Sequence, residues 1–283
     1  ENMPRGMLHW SELRELAASV SDEALRARQA SVNCHDVVNM QYTSGTTGFP
    51  KGVMLTHYNI LNNGKCIGDN QVLTYGQHRN RSPAFTPSSG SCRWSVPFFH
   101  CFGCVLGIMA CITHGSTIVP VERYHPVRVM HTIQAERCTA TYGVPTMYIA
   151  MLEHPDFSKY DFSSLRTGIM SGSPCPVKVM EQVVNLMHMT EITIPYGLTE
   201  TSPVCTMTNV RKMPFVEVKV VDPETYEDLP PNTPGEVVVR GYSVMKGYYK
   251  MPEATAQAID QDGWLHSGDL AVVDPEGYFH ITG

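Results

Sequence analysis

The sequence predicts an α/β fold, a helix-covered and mostly parallel sheet followed by a β-rich subdomain. Two observations predict it. Between residues 96 and 195, apolar helical stretches alternate with short strand-like runs, the order from which parallel sheets are built. Beyond about residue 210 the pattern changes to period-two alternation, as in Val216-Glu217-Val218-Lys219-Val220-Val221, which suits antiparallel pairing.

The elements follow in order. Residues 1–35 read as a helical lead-in, with Ser21-Asp22-Glu23 capping its second helix. Residues 36–210 read as the α/β part. It opens with a buried strand at Val37–Thr43, a Gly/Ser/Thr loop and a helix over His57–Cys66. Residues 76–95 are polar and read as an exposed loop. The alternation then begins: helix Gly103–Thr113, strand Ser116–Val121, helix Pro126–Glu136, strand Cys138–Tyr142 and helix Pro145–Glu153. Strand Leu165–Ser171, helix Pro176–His188 and strand Glu191–Pro195 complete it. Residues 211–283 are β-rich, with strands at 216–221, 235–240, 270–273 and 278–282, the last two joined by the turn Asp274-Pro275-Glu276-Gly277.

Composition narrows the function. With 42% hydrophobic and 17% charged residues over 283 positions, a disordered or fibrous chain is excluded. A net charge of −6 has the wrong sign for a general nucleic-acid binder. Nine scattered cysteines and no signal peptide suggest a reducing, cytoplasmic setting. The uncharged stretch Trp94–Val121 holds His100, His114, Pro97 and Pro120, so it reads as a core helix with flanking loops and not as an integral membrane segment. Cys101 and Cys104 form a Cys-x-x-Cys without a second pair at zinc spacing, and read as buried thiols.

The sharpest feature is Tyr42-Thr43-Ser44-Gly45-Thr46-Thr47-Gly48-Phe49-Pro50-Lys51-Gly52. Glycines let backbone N–H groups approach an anion, hydroxyls add donors, and a lysine supplies a point charge. Such a loop suits a polyphosphate, although Pro50 before Lys51 and the missing Gly-Lys-Ser/Thr distinguish it from a Walker A loop.

This loop resembles the phosphate loop of the adenylate-forming superfamily, and further motifs come in that family's order. Pro97-Phe98-Phe99-His100 resembles its aromatic–His motif and Ser171-Gly172-Ser173-Pro174 its adenine-contacting turn. Tyr196-Gly197-Leu198-Thr199-Glu200-Thr201 resembles the segment at adenine, α-phosphate and metal. Gly235-Glu236-Val237 and Gly247-Tyr248-Tyr249 match its β-rich region, and Gly263-Trp264-Leu265-His266-Ser267-Gly268-Asp269 its ribose motif. The resemblance runs from Asp36 to Gly283 and is strongest to the fatty acyl-CoA synthetases.

The resemblance implies roles. Thr43, Ser44, Thr46, Thr47 and Lys51, with Gly45 and Gly48, would grip the β- and γ-phosphates of ATP. Gly172, Ser173, Pro174 and Gly197 would border the adenine, and Tyr196 would lie flat against it. Thr199 would donate to the α-phosphate, Glu200 would hold Mg2+, and Asp269 would accept from both ribose hydroxyls. His100 would stand near the substrate carboxylate. No Asp occurs in this region to pair with an amino group, which favours a non-amino acid. Phe98, Phe99, Cys101 and the turn Tyr142-Gly143-Val144-Pro145 would wall the acyl pocket.

The expected activity is therefore ATP-dependent activation of a carboxylic acid to an acyl-adenylate, then thioester formation with CoA. Lys51, His100, Thr199 and Glu200 would be the catalytic residues. A luciferase-like or carrier-protein ligase is the alternative within the superfamily, and a nucleotide-binding module without turnover is the alternative outside enzymes. Three departures from the family pattern stand out: the long polar run Tyr75–Trp94, the abrupt join at Val210–Pro214, and the end at Ile281-Thr282-Gly283. The last falls where relatives continue through a hinge into a small C-terminal domain. With the start at Glu1, this suggests the middle of a longer enzyme, lacking an N-terminal portion and that domain.

Overall fold

The computed structural model describes residues 8–9, 11–43, 49–73, 91–94, 96–208 and 215–283, with the backbone alone for 91–94. Its contacts divide the chain into Glu1–Asp36 and Val37–Gly283. The first unit holds α1 (Glu12–Ala18) and α2 (Asp22–Ser31). The Ser21 hydroxyl accepts from the Ala24 N–H, an N-cap of the kind its sequence predicts.

The second unit begins with β1 (Val37–Thr43) and β2 (Lys51–Thr56), an antiparallel pair in which Thr43 faces Lys51. Helix α3 (His57–Asn70) follows, through the capping box of Thr56 and Asn59. The parallel sheet comprises β3 (Ser91–Trp94), β4 (Thr117–Pro120), β5 (Ala140–Gly143), β6 (Thr167–Met170) and β7 (Glu191–Thr193), in the order β4-β3-β5-β6-β7. Its connections carry helix α4 (Cys101–Gly103, π-helical over Cys104–Met109, then Ala110–His114), α5 (Pro126–Ala135), α6 (Pro145–Leu152) and α7 (Val177–Leu186). A short antiparallel pair, β8 (Pro195–Tyr196) and β9 (Thr206–Met207), leads on. The remainder holds β10 (Val216–Val221), β11 (Gly235–Gly241), β12 (Gly247–Tyr248), α8 (Pro252–Ala258), β13 (Leu265–Val273) and β14 (Phe279–Ile281). Strands β10-β11-β13-β14 form an antiparallel sheet, whereas β12 joins β2.

Burial explains the layering. Every residue of β5 and β6 is buried, because helices cover both faces. On one face Leu55, Ile67, Leu106, Tyr142 and Ile169 share a core with Tyr248 and Leu265 from the β-rich part. On the other, Met130, Ile133, Tyr148, Met170 and Val183 pack together. Helix α3 runs close to α4, since a Cβ on Gly64 would stand 2.5 Å from that of Met109.

The structure departs from the sequence expectations in several places. Strand β1 forms as expected but is not buried, because it is the edge of β1-β2-β12, and Tyr42 is 67% exposed. Strand β2 and helix α8 were not anticipated; Lys51 and Gly52 at the start of β2 mask its apolar pattern. Residues 91–94, expected in an exposed loop, form β3 between β4 and β5; polar Ser91 and Arg93 hide a strand that backbone pairing secures. Helix α3 extends to Asn70. Strand β13 begins at Leu265, five residues early, so the Asp269 motif lies within the sheet and not before it.

Candidate active site

The strand order reverses beside β3, with β4 on one side and β5, β6 and β7 on the other. In open parallel sheets, ligands bind at such a switch, beyond the carboxyl ends of the strands, where neighbouring connections diverge. The segments leaving those ends are 97–100 after β3, 143–145 after β5, 171–174 after β6 and 195–200 after β7. Strand topology therefore gathers along one crest motifs separated by a hundred residues of sequence.

Residues 171–174 and 194–197 line an open cleft of about 1410 Å³, completed by Trp264 and the β-rich part. The Ser171 hydroxyl donates to the Pro195 carbonyl at 2.8 Å, tying the turn after β6 to β8. Gly172 has φ +91°, a conformation costly for a residue with a Cβ. The Tyr196 phenol donates to Asp269 Oδ2 at 2.8 Å. Burial, and then the bond to Asp269, push this phenol far above its ordinary value of 10, so it remains a donor.

Asp269 is aimed by a bulge in β13. Val238 pairs with His266 and Glu236 with Leu270, so residues 267–269 stand opposite Val237 alone. Glu236 clasps the bulge: Oε1 accepts from the Gly268 N–H and Oε2 lies against His266 Nδ1, both at 2.9 Å.

A second group lies at the other end of segment 196–200. Thr199–Thr201 form one 3-10 turn. Buried Thr201 holds it by accepting from the Leu198 N–H at 2.9 Å and donating to the Pro203 carbonyl at 2.8 Å. Gly197 passes so near that a Cβ would fall 1.9 Å from the Pro203 carbonyl oxygen. Glu200 Oε1 accepts from the Tyr248 phenol at 2.9 Å, and the Lys51 ammonium stands 4.9 Å from the centre of the Tyr248 ring. The Thr199 hydroxyl reaches the Cys101 thiol, which burial pushes up to about 11. Glu200 offers hard oxygen donors, and Mg2+ takes one or two carboxylates while keeping waters and substrate phosphates as its other ligands. Among the described residues no cluster of three or more His, Cys, Asp or Glu could hold a metal by itself.

His100 caps α4, its Nδ1 accepting from the Phe102 N–H at 3.0 Å. That bond leaves the ring proton on Nε2. Partial desolvation lowers its pKa from 6.5, so the imidazole is neutral at pH 7. Its neighbour Phe99 is 84% exposed and Phe98 is also exposed, whereas Tyr142 and Cys101 are buried.

The geometry thus brings Tyr196 to Asp269, residues 172–174 to the same cleft, and Lys51 to Glu200 through Tyr248. Thr43 faces Lys51 across the β1–β2 hairpin. Ser44, Gly45, Thr46, Thr47 and Gly48 lie outside the described residues, as do residues 74–90 and 209–214. Sequence reasoning assigned no role to Glu236 or Tyr248. Both lay inside quoted motifs, but their partners are 30 and 48 residues away, a relation only strand pairing reveals.

Fold and site define an α/β class in which segment 196–200 carries Tyr196 against Asp269 at one end and Glu200 against Tyr248, beside Lys51, at the other. The sequence profile of the AMP-binding enzyme family matches residues 5–249, and the chain belongs to that family. It is 50% identical to YngI of Bacillus subtilis (strain 168), covering 98% of this chain and 50% of that one. It is 43% identical to the acyl-CoA ligase sidI of Aspergillus fumigatus, covering 92% and 45%. With the mitochondrial medium-chain acyl-CoA ligase ACSF2 of Bos taurus it shares 39% identity, covering 96% and 45%. The chain therefore spans about half the length of these relatives. Among solved structures, the ATP-bound RpMatB-BxBclM chimera B3 superposes with a TM-score of 0.76 at 27% identity, over 89% of this chain and 49% of that one. Apo MatB from Rhodopseudomonas palustris gives 0.76 at 26% identity, over 89% and 48%. Among the described residues no helix is long and apolar enough to cross a membrane.

Proposed function

We propose that the protein to which this chain belongs joins a carboxylic acid, of fatty type, to CoA at the expense of ATP. The observation that carries this reading is segment 196–200. Its first residue is bonded to the acid suited to a ribose, and its last reaches, through Tyr248, the lysine suited to phosphates.

In the first step a carboxylate oxygen attacks the α-phosphorus. An acyl–phosphate bond forms, the bond to the bridging oxygen breaks, and pyrophosphate departs with the electron pair. Lys51 and Thr43 hold the departing phosphates, and Thr199 donates to an α-phosphate oxygen. Tyr196 and Asp269 fix the nucleoside, so that attack begins from an oriented complex. Mg2+ on Glu200, when bound, offsets charge on the phosphates. His100, neutral and with its proton on Nε2, would donate to the incoming carboxylate. In the second step the CoA thiol loses its proton to solvent, its sulfur forms a bond to the acyl carbon, the bond from that carbon to the phosphate oxygen breaks, and AMP leaves with the electron pair.

The same reading takes residues 36–210 as the ATP- and acyl-binding part and 211–283 as a β-rich part. It places the protein in the cytoplasm, supported by the thiols of Cys101 and Cys104, which are not joined to each other. The full-length protein should exchange labelled pyrophosphate into ATP only when an acid is present, and should form a CoA thioester. Acids from acetate to palmitate, ranked by kcat/KM, would set the chain length; medium chains are the first choice, from the name of the Bos taurus relative. Exchange with none of them would overturn the reading. Exchange without a thioester would point to a carrier-protein or luciferase-like acceptor step.

A further inference from the structure

Residues 245–249 are tied to both halves of the phosphate-side machinery. The Met245 N–H donates to the Glu200 carbonyl at 2.8 Å. The Lys246 N–H donates to the Met54 carbonyl at 3.0 Å and the Tyr249 N–H to the Gly52 carbonyl at 2.8 Å. One short segment thus fixes the backbone of the Glu200 turn against the strand that begins at Lys51. Within it, Tyr248 is 8% exposed, and its N–H is held by the Thr255 hydroxyl at 2.9 Å. Its ring cannot wander, because both its backbone and its flanks are bonded.

The side chain at this fixed point touches two opposite charges. Its hydroxyl donates to Glu200 Oε1, and its face lies under the Lys51 ammonium. A ring in contact with both groups stands in the way of a direct ion pair between the ammonium and the carboxylate. In such a pair each would be spent on the other and not on a phosphate or a metal. A phenol avoids that outcome, since its π-face attracts the cation while its O–H satisfies a single carboxylate oxygen. We propose that Tyr248 is a positioning residue that keeps Lys51 and Glu200 apart and orients both, the first toward the nucleotide's phosphates and the second toward its divalent cation. The proposal deepens the proposed function and rests on its assignment of Lys51 and Glu200.

The test uses the full-length protein and two binding measurements. Mn2+ binding to the complex with α,β-methylene ATP is read from the spin resonance of the free ion, and pyrophosphate binding is read by calorimetry. Tyr248→Phe keeps the ring and removes the hydroxyl. It should weaken Mn2+ on the order of tenfold, the effect of losing a hydrogen bond to a charged group, and leave pyrophosphate binding unchanged. Tyr248→Leu removes both contacts and should weaken pyrophosphate as well. Glu200→Gln combined with Tyr248→Phe should be no worse for Mn2+ than Glu200→Gln alone. Wild-type Mn2+ affinity in Tyr248→Phe, or additive losses in the double variant, would overturn the proposal. If Glu200→Gln alone leaves Mn2+ binding unchanged, the assignment of Glu200 has failed, and the proposal falls with it for that separate reason. Should Tyr248→Leu not fold, the Tyr248→Phe measurements decide.

Discussion

The Tyr196 phenol and the Asp269 carboxylate, 73 residues apart, are joined by a 2.8 Å hydrogen bond at the junction of the parallel sheet and the β-rich part. The bond occupies Oδ2, so in the proposed function Asp269 would meet a ribose already oriented. Tyr196→Phe keeps the ring and frees the carboxylate, and should raise the KM for ATP several-fold with little change in kcat. Asp269→Asn keeps the shape but loses the charge, and should cost about tenfold or more. Steady-state pyrophosphate exchange measures both; equal and negligible effects would remove these residues from the nucleoside site.

Glu236 should act on the ribose at second hand, because it grips the bulge that presents Asp269. Glu236→Ala should lower affinity for ATP but hardly affect 2′,3′-dideoxy-ATP, which has no ribose hydroxyls for Asp269 to accept. Glu236→Gln can still accept from the Gly268 N–H and should recover part of the loss. Equal losses on both nucleotides would mean that Glu236 serves only the stability of β13.

Two glycines should respond to the same substitution for different reasons. Gly197→Ala places a Cβ 1.9 Å from the Pro203 carbonyl oxygen, so the turn carrying Thr199 and Glu200 must shift. A loss of about 1–3 kcal/mol is expected, together with most of the activity. At Gly268 a Cβ meets nothing within 4 Å, and φ +75° is the sole obstacle. There the expected cost is about 1–2 kcal/mol, from the left-handed backbone alone. Chemical denaturation compares the stabilities, and pyrophosphate exchange reads the sharper contrast in activity.

His100 gives stability a pH dependence of definite sign. Its pKa in the folded protein is lowered by burial from 6.5, so below that pH the unfolded chain binds the proton first. Stability should fall as pH drops from 6.5 toward the folded pKa, and the group should contribute nothing to the slope above that window. His100→Asn preserves an acceptor for the Phe102 N–H and removes the titration. Urea unfolding from pH 5 to 7 should give a flatter profile for this variant; an unchanged slope would place the titration elsewhere.

The order of helices and strands from Gly103 to Pro195 was legible because each element carries its own period, and α5, α6 and α7 each open on or just after a proline. The β-rich ending was legible from alternation alone. Strand β3 escaped notice, since a partly polar strand is held between β4 and β5 by backbone bonds that leave no trace in side-chain character. The burial of β1 was misjudged for a related reason: apolar residues mark a strand, but its neighbours decide whether it is an edge.

Single residues carried enough chemistry for the sequence to nominate Lys51, Thr199, Glu200 and Asp269, because a carboxylate or an ammonium at a turn has few uses. Their mutual arrangement was another matter. That Tyr248 stands at both Lys51 and Glu200, and that Glu236 aims Asp269 through a bulge, depends on which strands pair and in which register. Those pairings are set by burying a common core, a property of the whole chain. The sequence determined what chemistry is present, and the tertiary structure decided which groups meet.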